Sequence, residues 1–88
     1  MRVEFRESFL KDLHRIKDKA VLARVREAIE SVERATKLDE IIHLSKLQGA
    51  KGYFRIRIGD HRLGVKLDAD ILIFVRFLHR KEIYRFFP

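Results

Sequence analysis

The feature that most constrains the fold is a run of alternating side chains on both sides of the dipeptide Gly59-Asp60. Apolar residues occupy every second position of the two flanks, at 54, 56 and 58 and again at 63, 65 and 67. A period of two is typical of half-buried strands, and glycine and aspartate tolerate the backbone angles of a tight turn. Residues 53–67 are therefore predicted to form an antiparallel hairpin with one apolar face.

Two further segments have the pattern of strands. Residues 71–75 are apolar at every position, which is typical of a central strand that is buried on both faces. The short turn Asp68-Ala69-Asp70 joins this strand to the hairpin, so the two are expected to be antiparallel neighbours. Near the start of the chain, Arg2-Val3-Glu4-Phe5-Arg6 alternates again and predicts a first strand.

Two helices are predicted between the first strand and the hairpin. Ser8 is the expected N-cap of the first helix, which stops at the polar break Lys17-Asp18-Lys19, and Asp18 is the expected N-cap of the second. Apolar residues then recur at helical spacing from Val21 to Val32. The two helices are predicted to form an antiparallel pair. In residues 37–52, the apolar side chains of Ile41, Ile42 and Leu44 fit either the end of a helix or a short buried turn before Gly49 and Gly52, and the structure of this segment is left open.

These elements predict one domain of the α+β class over residues 1–88. Its order is an N-terminal strand, an antiparallel helix pair and a three-stranded antiparallel meander, with the helices packed on one face of the sheet. A chain of 88 residues buries only about 60% of its unfolded surface, so its stability margin is small. The second face of the sheet is expected to stay partly open.

Parity places a group of cations on that open face. If the apolar residues of the hairpin face the helices, the opposite side carries one aromatic residue and four cations, namely Tyr53, Arg55, Arg57, Arg62 and Lys66. The polar side of an ordinary sheet offers a simpler explanation, but like charges across a ladder destabilise it. Residues 51–88 also hold nine Lys/Arg against four Asp/Glu, which is +5 of the total net charge of +7. Clustered, unneutralised cations favour a surface that binds a phosphate backbone.

The composition argues against several other classes of protein. The chain has no cysteine for a disulfide or a thiolate metal site, so the expected compartment is the cytoplasm. Its four histidines lack the paired spacing of metal ligands, and neither a metal nor a small-molecule cofactor is expected. No export signal opens the chain, and no apolar run approaches the roughly 20 residues of a membrane span.

Three motifs carry a resemblance to a known family. They are Lys46-Leu47-x-Gly49, the hairpin run from Tyr53 to Leu63, and His79-Arg80-Lys81-Glu82-Ile83-Tyr84. In combination they resemble the RelE/ParE superfamily of toxins from prokaryotic toxin–antitoxin pairs. The likeness covers the C-terminal half closely, whereas the N-terminal half matches only in its order of a strand and a helix pair.

The resemblance implies a type II toxin that is a ribosome-dependent endoribonuclease, cuts mRNA without a cofactor and is neutralised by a RelB-like antitoxin. It further implies that Arg55, Arg57 and Arg62 bind the scissile phosphate. Arg80 assists there, and Tyr84 stacks on the substrate nucleotide or exchanges a proton with it. Four more residues are predicted to contact RNA, namely Lys51, Tyr53, Lys66 and Lys81.

Elementary chemistry says what such a site must do. Cleavage by the 2′-hydroxyl needs a proton acceptor, stabilisation of negative charge at phosphorus and a proton for the leaving 5′-oxygen. Arginine suits the second task but cannot act as a base. His79 and Tyr84 are the candidates for proton transfer, and each has a simpler alternative: a strand-end histidine bonded to backbone, and a tyrosine that packs on Phe86 and Phe87.

Two other functions remain open at the level of sequence. One is a ParE-like poison of DNA gyrase with the same fold and no catalysis, and the other is a basic module that binds RNA or DNA without cutting it. In every case the net charge of +7 favours an acidic protein partner. The terminal aromatic pair Phe86-Phe87 is expected to add exposed apolar surface for that partner.

Overall fold

A computed structural model describes all 88 residues as five strands, three α-helices and one short 3₁₀ turn. The strands are β1 (Arg2–Phe5), β2 (Leu44–Lys46), β3 (Tyr53–Ile58), β4 (His61–Asp68) and β5 (Ile71–His79). The helices are α1 (Glu7–His14), α2 (Lys19–Arg34) and α3 (Ile83–Phe86), and the 3₁₀ turn is Leu38–Glu40. None of the helices has the length and apolar character needed to cross a bilayer.

The strands form one mixed sheet in the order β1-β5-β4-β3-β2. Strands β3, β4 and β5 are the predicted antiparallel meander, and β2 adds a further antiparallel edge. Strand β1 runs parallel to β5 at the other edge. Strand β5 thus has a neighbour on both sides, as its run of apolar residues predicted for a central strand. The predicted α+β fold is confirmed, with β2 and α3 as additions that the sequence pattern did not indicate.

Helix α1 covers the edge of β5 where β1 ends. The Ser8 hydroxyl donates to the Val75 carbonyl at 2.6 Å, and the Asp12 carboxylate accepts from the Phe77 N–H at 2.9 Å. Asp12 is only 4% exposed and also accepts two hydrogen bonds from Arg76, at 2.8 and 3.0 Å. These bonds raise the pKa of the Arg76 guanidinium. Side chains of α1 thus replace a missing strand neighbour and satisfy backbone groups that would otherwise be unpaired.

The predicted helix caps had different outcomes. Asp18 caps α2 as expected, since its carboxylate accepts from the N–H groups of Ala20 and Val21 at 2.9 and 3.4 Å. The prediction for Ser8 is wrong. Helix α1 begins at Glu7 with Arg6 at its N-cap and no side-chain cap bond, because the Ser8 hydroxyl bonds to β5 instead.

A bulge in β5 changes which residues face the helices. Gly64 of β4 pairs with Arg76 and Val65 pairs with Phe74, so Val75 is an extra residue without a partner. Beyond the bulge the parity of the strand reverses. Phe74 and Phe77 consequently both enter the core on the helix side, although they are an odd number of residues apart.

A second, smaller core lies on the other face of the sheet. Leu47, Ile83 and Phe87 are buried there, and they anchor the chain that follows β5. Phe87 is 2% exposed, so the expectation of an exposed aromatic pair is wrong for Phe87 and holds only for Phe86 at 50%. The Phe87 ring lies over Gly64, where an added Cβ would come within 2.8 Å of three ring carbons. Glycine at position 64 therefore leaves the space that the tail occupies.

Candidate functional site

The strand register brings the predicted cations together on the face opposite the helices. Arg57 pairs directly with Arg62, and Tyr53 pairs with Lys66. Arg55 lies between these pairs, opposite Gly64 on β4 and opposite Ser45 on β2. The side chains that alternate with them point into the main core, as the parity of the hairpin predicts.

Hydrogen bonds hold the facing arginines in separate directions. Arg62 turns back on the hairpin and donates to the carbonyls of Gly59 and His61, both at 2.9 Å. The Arg57 Nη2 atom instead lies 3.3 Å from Nδ1 of His43. Each guanidinium has its own acceptor, and this reduces the repulsion expected of like charges across a ladder.

Tyr84 lies at the edge of this cationic face. It is on helix α3, and its hydroxyl accepts a hydrogen bond from Nη1 of Arg55. The Arg55 guanidinium carbon is also 5.4 Å from the centre of the tyrosine ring. Because 57% of Tyr84 is exposed, the ring remains available to a ligand.

Two adjoining clefts share Arg55 as a common wall. The first has a volume of about 310 Å³ and is lined by His43, Leu44, Ser45, Arg55, Arg57 and Arg62. The second has a volume of about 360 Å³ and is lined by Lys46, Leu47, Gln48, Arg55 and Tyr84. Neither lining contains a carboxylate, so both clefts suit a ligand with negative charge. No group of three or more histidine, aspartate or glutamate side chains in the protein is arranged to hold a metal ion.

The other predicted site residues on the strands and loops do not line these clefts. Lys66 Nζ is 5.5 Å from the centre of the Tyr53 ring, whose edge packs on Phe87 at 5.6 Å between ring centres. Lys51 is exposed in the loop before β3. Arg80 and Lys81 are exposed in the turn after β5, and the Arg80 N–H donates to the Asp60 carbonyl at 2.8 Å. That bond joins the turn to the tip of the hairpin.

His79 lies apart from the clefts. It pairs with His61 across the strands, and the His61 ring stacks on Phe77 of the main core at 4.9 Å. The parity reversal at the bulge directs His79 to this side of the sheet. Its Nδ1 accepts a hydrogen bond from the Lys81 N–H at 3.2 Å. His79 is thus a strand-end histidine bonded to backbone, which was the alternative to a role in proton transfer. Burial, and then the neighbouring His79, lower the pKa of His61.

Three residues of the first cleft were not predicted from sequence, namely His43, Leu44 and Ser45. All three belong to the segment 37–52 that was left open, and β2 is only three residues long. A strand of that length shows no periodicity, so its neighbour relations cannot be inferred from the pattern of the chain. The Arg57 N–H donates to the His43 carbonyl at 3.2 Å, which extends the β2–β3 ladder to this residue.

Comparison with known proteins gives the class of this small basic domain. Residues 3–84 match the family described as the ParE toxin of the type II toxin–antitoxin system parDE. Toxin RelE3 of Methanocaldococcus jannaschii is 36% identical over 89 residues, covering 100% of both chains. The chain therefore belongs to the RelE/ParE superfamily of toxins of type II toxin–antitoxin systems.

Solved structures agree with this family. A chain of the RelB–RelE antitoxin–toxin complex from Methanococcus jannaschii has a TM-score of 0.82 and 34% identity, covering 97% of this chain and 99% of that one. A chain of the archaeal RelE–RelB complex from Pyrococcus horikoshii has a TM-score of 0.73 at 22% identity, with coverages of 93% and 97%. The second likeness is one of fold.

Proposed function

We propose that this toxin is an endoribonuclease that cleaves mRNA on the ribosome. The observation that carries the proposal is the contact between Arg55 and Tyr84 at the junction of two clefts without carboxylates. An exposed aromatic ring beside a group of guanidinium ions matches a nucleotide, which offers a base for stacking and a phosphate for hydrogen bonds.

The chemistry follows from the residues of the first cleft. Attack of the 2′-hydroxyl on the adjacent phosphorus adds negative charge to the phosphate oxygens. Arg55, Arg57 and Arg62 supply donors that are already held in position by the sheet, and such donors stabilise that charge. Because arginine keeps its protons, these residues act on charge and orientation and leave proton transfer to other groups.

Tyr84 has two possible actions, and the contact with Arg55 makes them separable. The hydroxyl accepts the arginine N–H, so its own hydrogen is free to be donated to a substrate oxygen. The exposed ring is equally able to stack on a base. Tyr84→Phe should preserve cleavage if the ring acts by stacking and should abolish it if the hydroxyl transfers a proton. Tyr84→Ala should abolish cleavage in both cases.

The outer cations have a supporting role in this proposal. Lys51, Lys66 and Lys81 lie outside the linings of the two clefts, and we assign their charge to attraction of the RNA backbone. Arg80→Ala should slow the cleavage step with little change in ribosome binding, because we assign its charge chiefly to the transition state. His79 is not assigned to the reaction, because its ring lies with His61 against the main core.

The partner that we propose is a RelB-like antitoxin. Related toxins occur in solved complexes with their RelB antitoxins, and the net charge of +7 suits an acidic partner. Co-expression with the protein encoded beside this toxin should relieve growth arrest and give a stable complex. Growth arrest that persists, with no complex on co-purification, would count against this partner.

A second candidate function is the ParE-like poisoning of DNA gyrase without catalysis, and the match of residues 3–84 to the ParE toxin family keeps it as the alternative. One experiment separates the two. Purified toxin is added to ribosomes that are translating a defined mRNA, and the RNA ends are mapped, while gyrase is assayed in parallel for stabilised DNA breaks. The proposal requires new mRNA ends that depend on the ribosome. Intact mRNA together with trapped gyrase–DNA complexes would contradict the ribonuclease proposal and support gyrase poisoning.

A further inference from the structure

His43 is the one titratable side chain other than arginine that lines the first cleft. It lies just before β2 and is exposed, and its Nδ1 atom is 3.3 Å from the Arg57 guanidinium. The ring also borders a groove of about 530 Å³, which Arg57 lines as well and which carries the charged residues Arg24, Glu27, Glu30 and Arg34 of α2. Glu27 and Glu30 thus share this groove with His43 and Arg57, although neither carboxylate lines the first cleft.

The contact with Arg57 brings Nδ1 of the His43 ring to the guanidinium group. A guanidinium group can only donate hydrogen bonds, so the ring nitrogen that faces it must offer a lone pair. A hydrogen bond from Arg57 therefore uses the tautomer in which Nδ1 is the acceptor. An imidazole nitrogen that can accept a proton thus lies beside the arginine that we assign to the phosphate.

We propose that His43 is the proton acceptor of the cleavage reaction, an inference that rests on the proposed ribonuclease function. Phosphate binding draws the Arg57 guanidinium away from Nδ1, and the imidazole then takes the proton of the substrate 2′-hydroxyl. The 2′-oxygen forms a bond to phosphorus while the bond between phosphorus and the 5′-oxygen breaks. The 5′-oxygen receives a proton from the Tyr84 hydroxyl on the other side of Arg55 or, if the Tyr84 ring acts only by stacking, from water. The products are a 2′,3′-cyclic phosphate and a free 5′-hydroxyl.

The backbone of His43 allows a test that leaves the fold intact. Its φ angle is 66°, a left-handed conformation that glycine adopts at no steric cost and asparagine adopts readily. His43→Gly should therefore fold normally and leave an opening in the cleft for free imidazole. His43→Asn fills most of the same space with a side chain that cannot accept a proton near neutral pH. Two folded variants of different size thus remove the base.

The experiment measures single-turnover cleavage of ribosome-bound mRNA with and without added imidazole. His43→Gly and His43→Asn should lose about 100-fold or more in rate, the usual contribution of a positioned base. Imidazole should raise the rate of His43→Gly at least about tenfold. It should not raise the rate of Arg57→Ala, which keeps its histidine. Melting curves of both His43 variants should overlay that of the wild type.

Two results would overturn the assignment of His43. One is a wild-type cleavage rate in either folded variant, and the other is an inactive, folded His43→Gly protein that imidazole does not restore. These two results are distinct from the result that would contradict the ribonuclease function itself, in which the wild-type toxin leaves ribosome-bound mRNA intact.

Discussion

The two faces of the sheet are built in different ways. On the helix side, 13 buried residues form one continuous cluster that includes Phe9, Phe74 and Phe77. On the other side only Leu47, Ile83 and Phe87 are fully buried together, next to a row of exposed or half-buried cations. The helix side therefore supplies most of the hydrophobic stabilisation, and the small core supports α3.

The difference between the two faces explains how a small domain can hold a group of like charges that destabilises its sheet. Facing Arg57 and Arg62 across a ladder is unfavourable, and the sheet tolerates the pair because the apolar contacts on its other face are extensive. The small core then attaches Tyr84 beside Arg55 without covering the clefts. Stability and activity should consequently respond to different substitutions.

The largest loss of stability should follow truncation in the main core. Phe74 is fully buried and packs on Phe5 and Phe9 with ring centres 5.3 and 5.5 Å away. Phe74→Ala should lower the free energy of unfolding by about 3–5 kcal/mol, because it removes a large buried ring and leaves a cavity. Urea unfolding followed by circular dichroism measures the change. A loss below about 1 kcal/mol would contradict the dominance of the helix-side core.

Truncation in the small core should have a smaller and more local effect. Phe87→Ala should lower the global stability by about 2 kcal/mol or less, since the tail can detach while the rest of the domain stays folded. Hydrogen exchange at residues 83–87 should accelerate, and cleavage should fall because Tyr84 is no longer held beside Arg55. Phe86→Ala is the matched control, because that neighbouring ring is half exposed. Equal behaviour of the two variants would show that Phe87 does not anchor the tail.

Gly64 offers a sharper test of the same anchor. Gly64→Ala introduces a Cβ within 2.8 Å of the Phe87 ring and should destabilise the protein by about 1–2 kcal/mol. In the background of Phe87→Ala the same substitution should have almost no effect, because the ring it displaces is gone. A double-mutant cycle measures this coupling. If the stability changes of Gly64→Ala and Phe87→Ala were strictly additive, the cost of Gly64→Ala would have a cause other than its contact with the Phe87 ring.

The smallest effect should appear in the dependence of stability on pH. Burial, and then His79, lower the pKa of His61, against the opposing effect of Asp60 and Asp18. The unfolded chain therefore takes up a proton at a higher pH than the folded one. Stability should be complete above the unfolded value of about 6.5 and should decline below it, by less than about 1 kcal/mol after solvent screening. His61→Phe, which retains a ring against Phe77, should remove this decline in thermal melts between pH 7.5 and 5.

Much of the hairpin and of its cationic face was predictable, because parity needs only a regular strand. The alternation around Gly59-Asp60 determines which side Arg55, Arg57 and Arg62 take, and the register confirms that side. Asp18 was predictable for a similar reason, since an N-cap acts on the backbone next to it.

The errors arise where distant parts of the chain meet. Ser8 bonds to Val75, a residue 67 positions away, and no local rule indicates that choice. The bulge at Val75 reverses the parity that would have put His79 beside the arginines. His43 reaches the cleft only through a three-residue strand. In each case tertiary contacts outweigh a local pattern.

The most direct test of the central claim compares two arginines that differ in their face of the molecule. Arg57 lines the first cleft, whereas Arg26 lies exposed on α2 and lines neither cleft. Arg57→Ala and Arg26→Ala each remove one positive charge, and both should melt within a few degrees of the wild type. In single-turnover cleavage of ribosome-bound mRNA, Arg57→Ala should be slower by about 100-fold or more, and Arg26→Ala should be within about twofold of the wild type. Equal rates in the two variants would mean that net charge, and not the cationic face of the sheet, accounts for the activity.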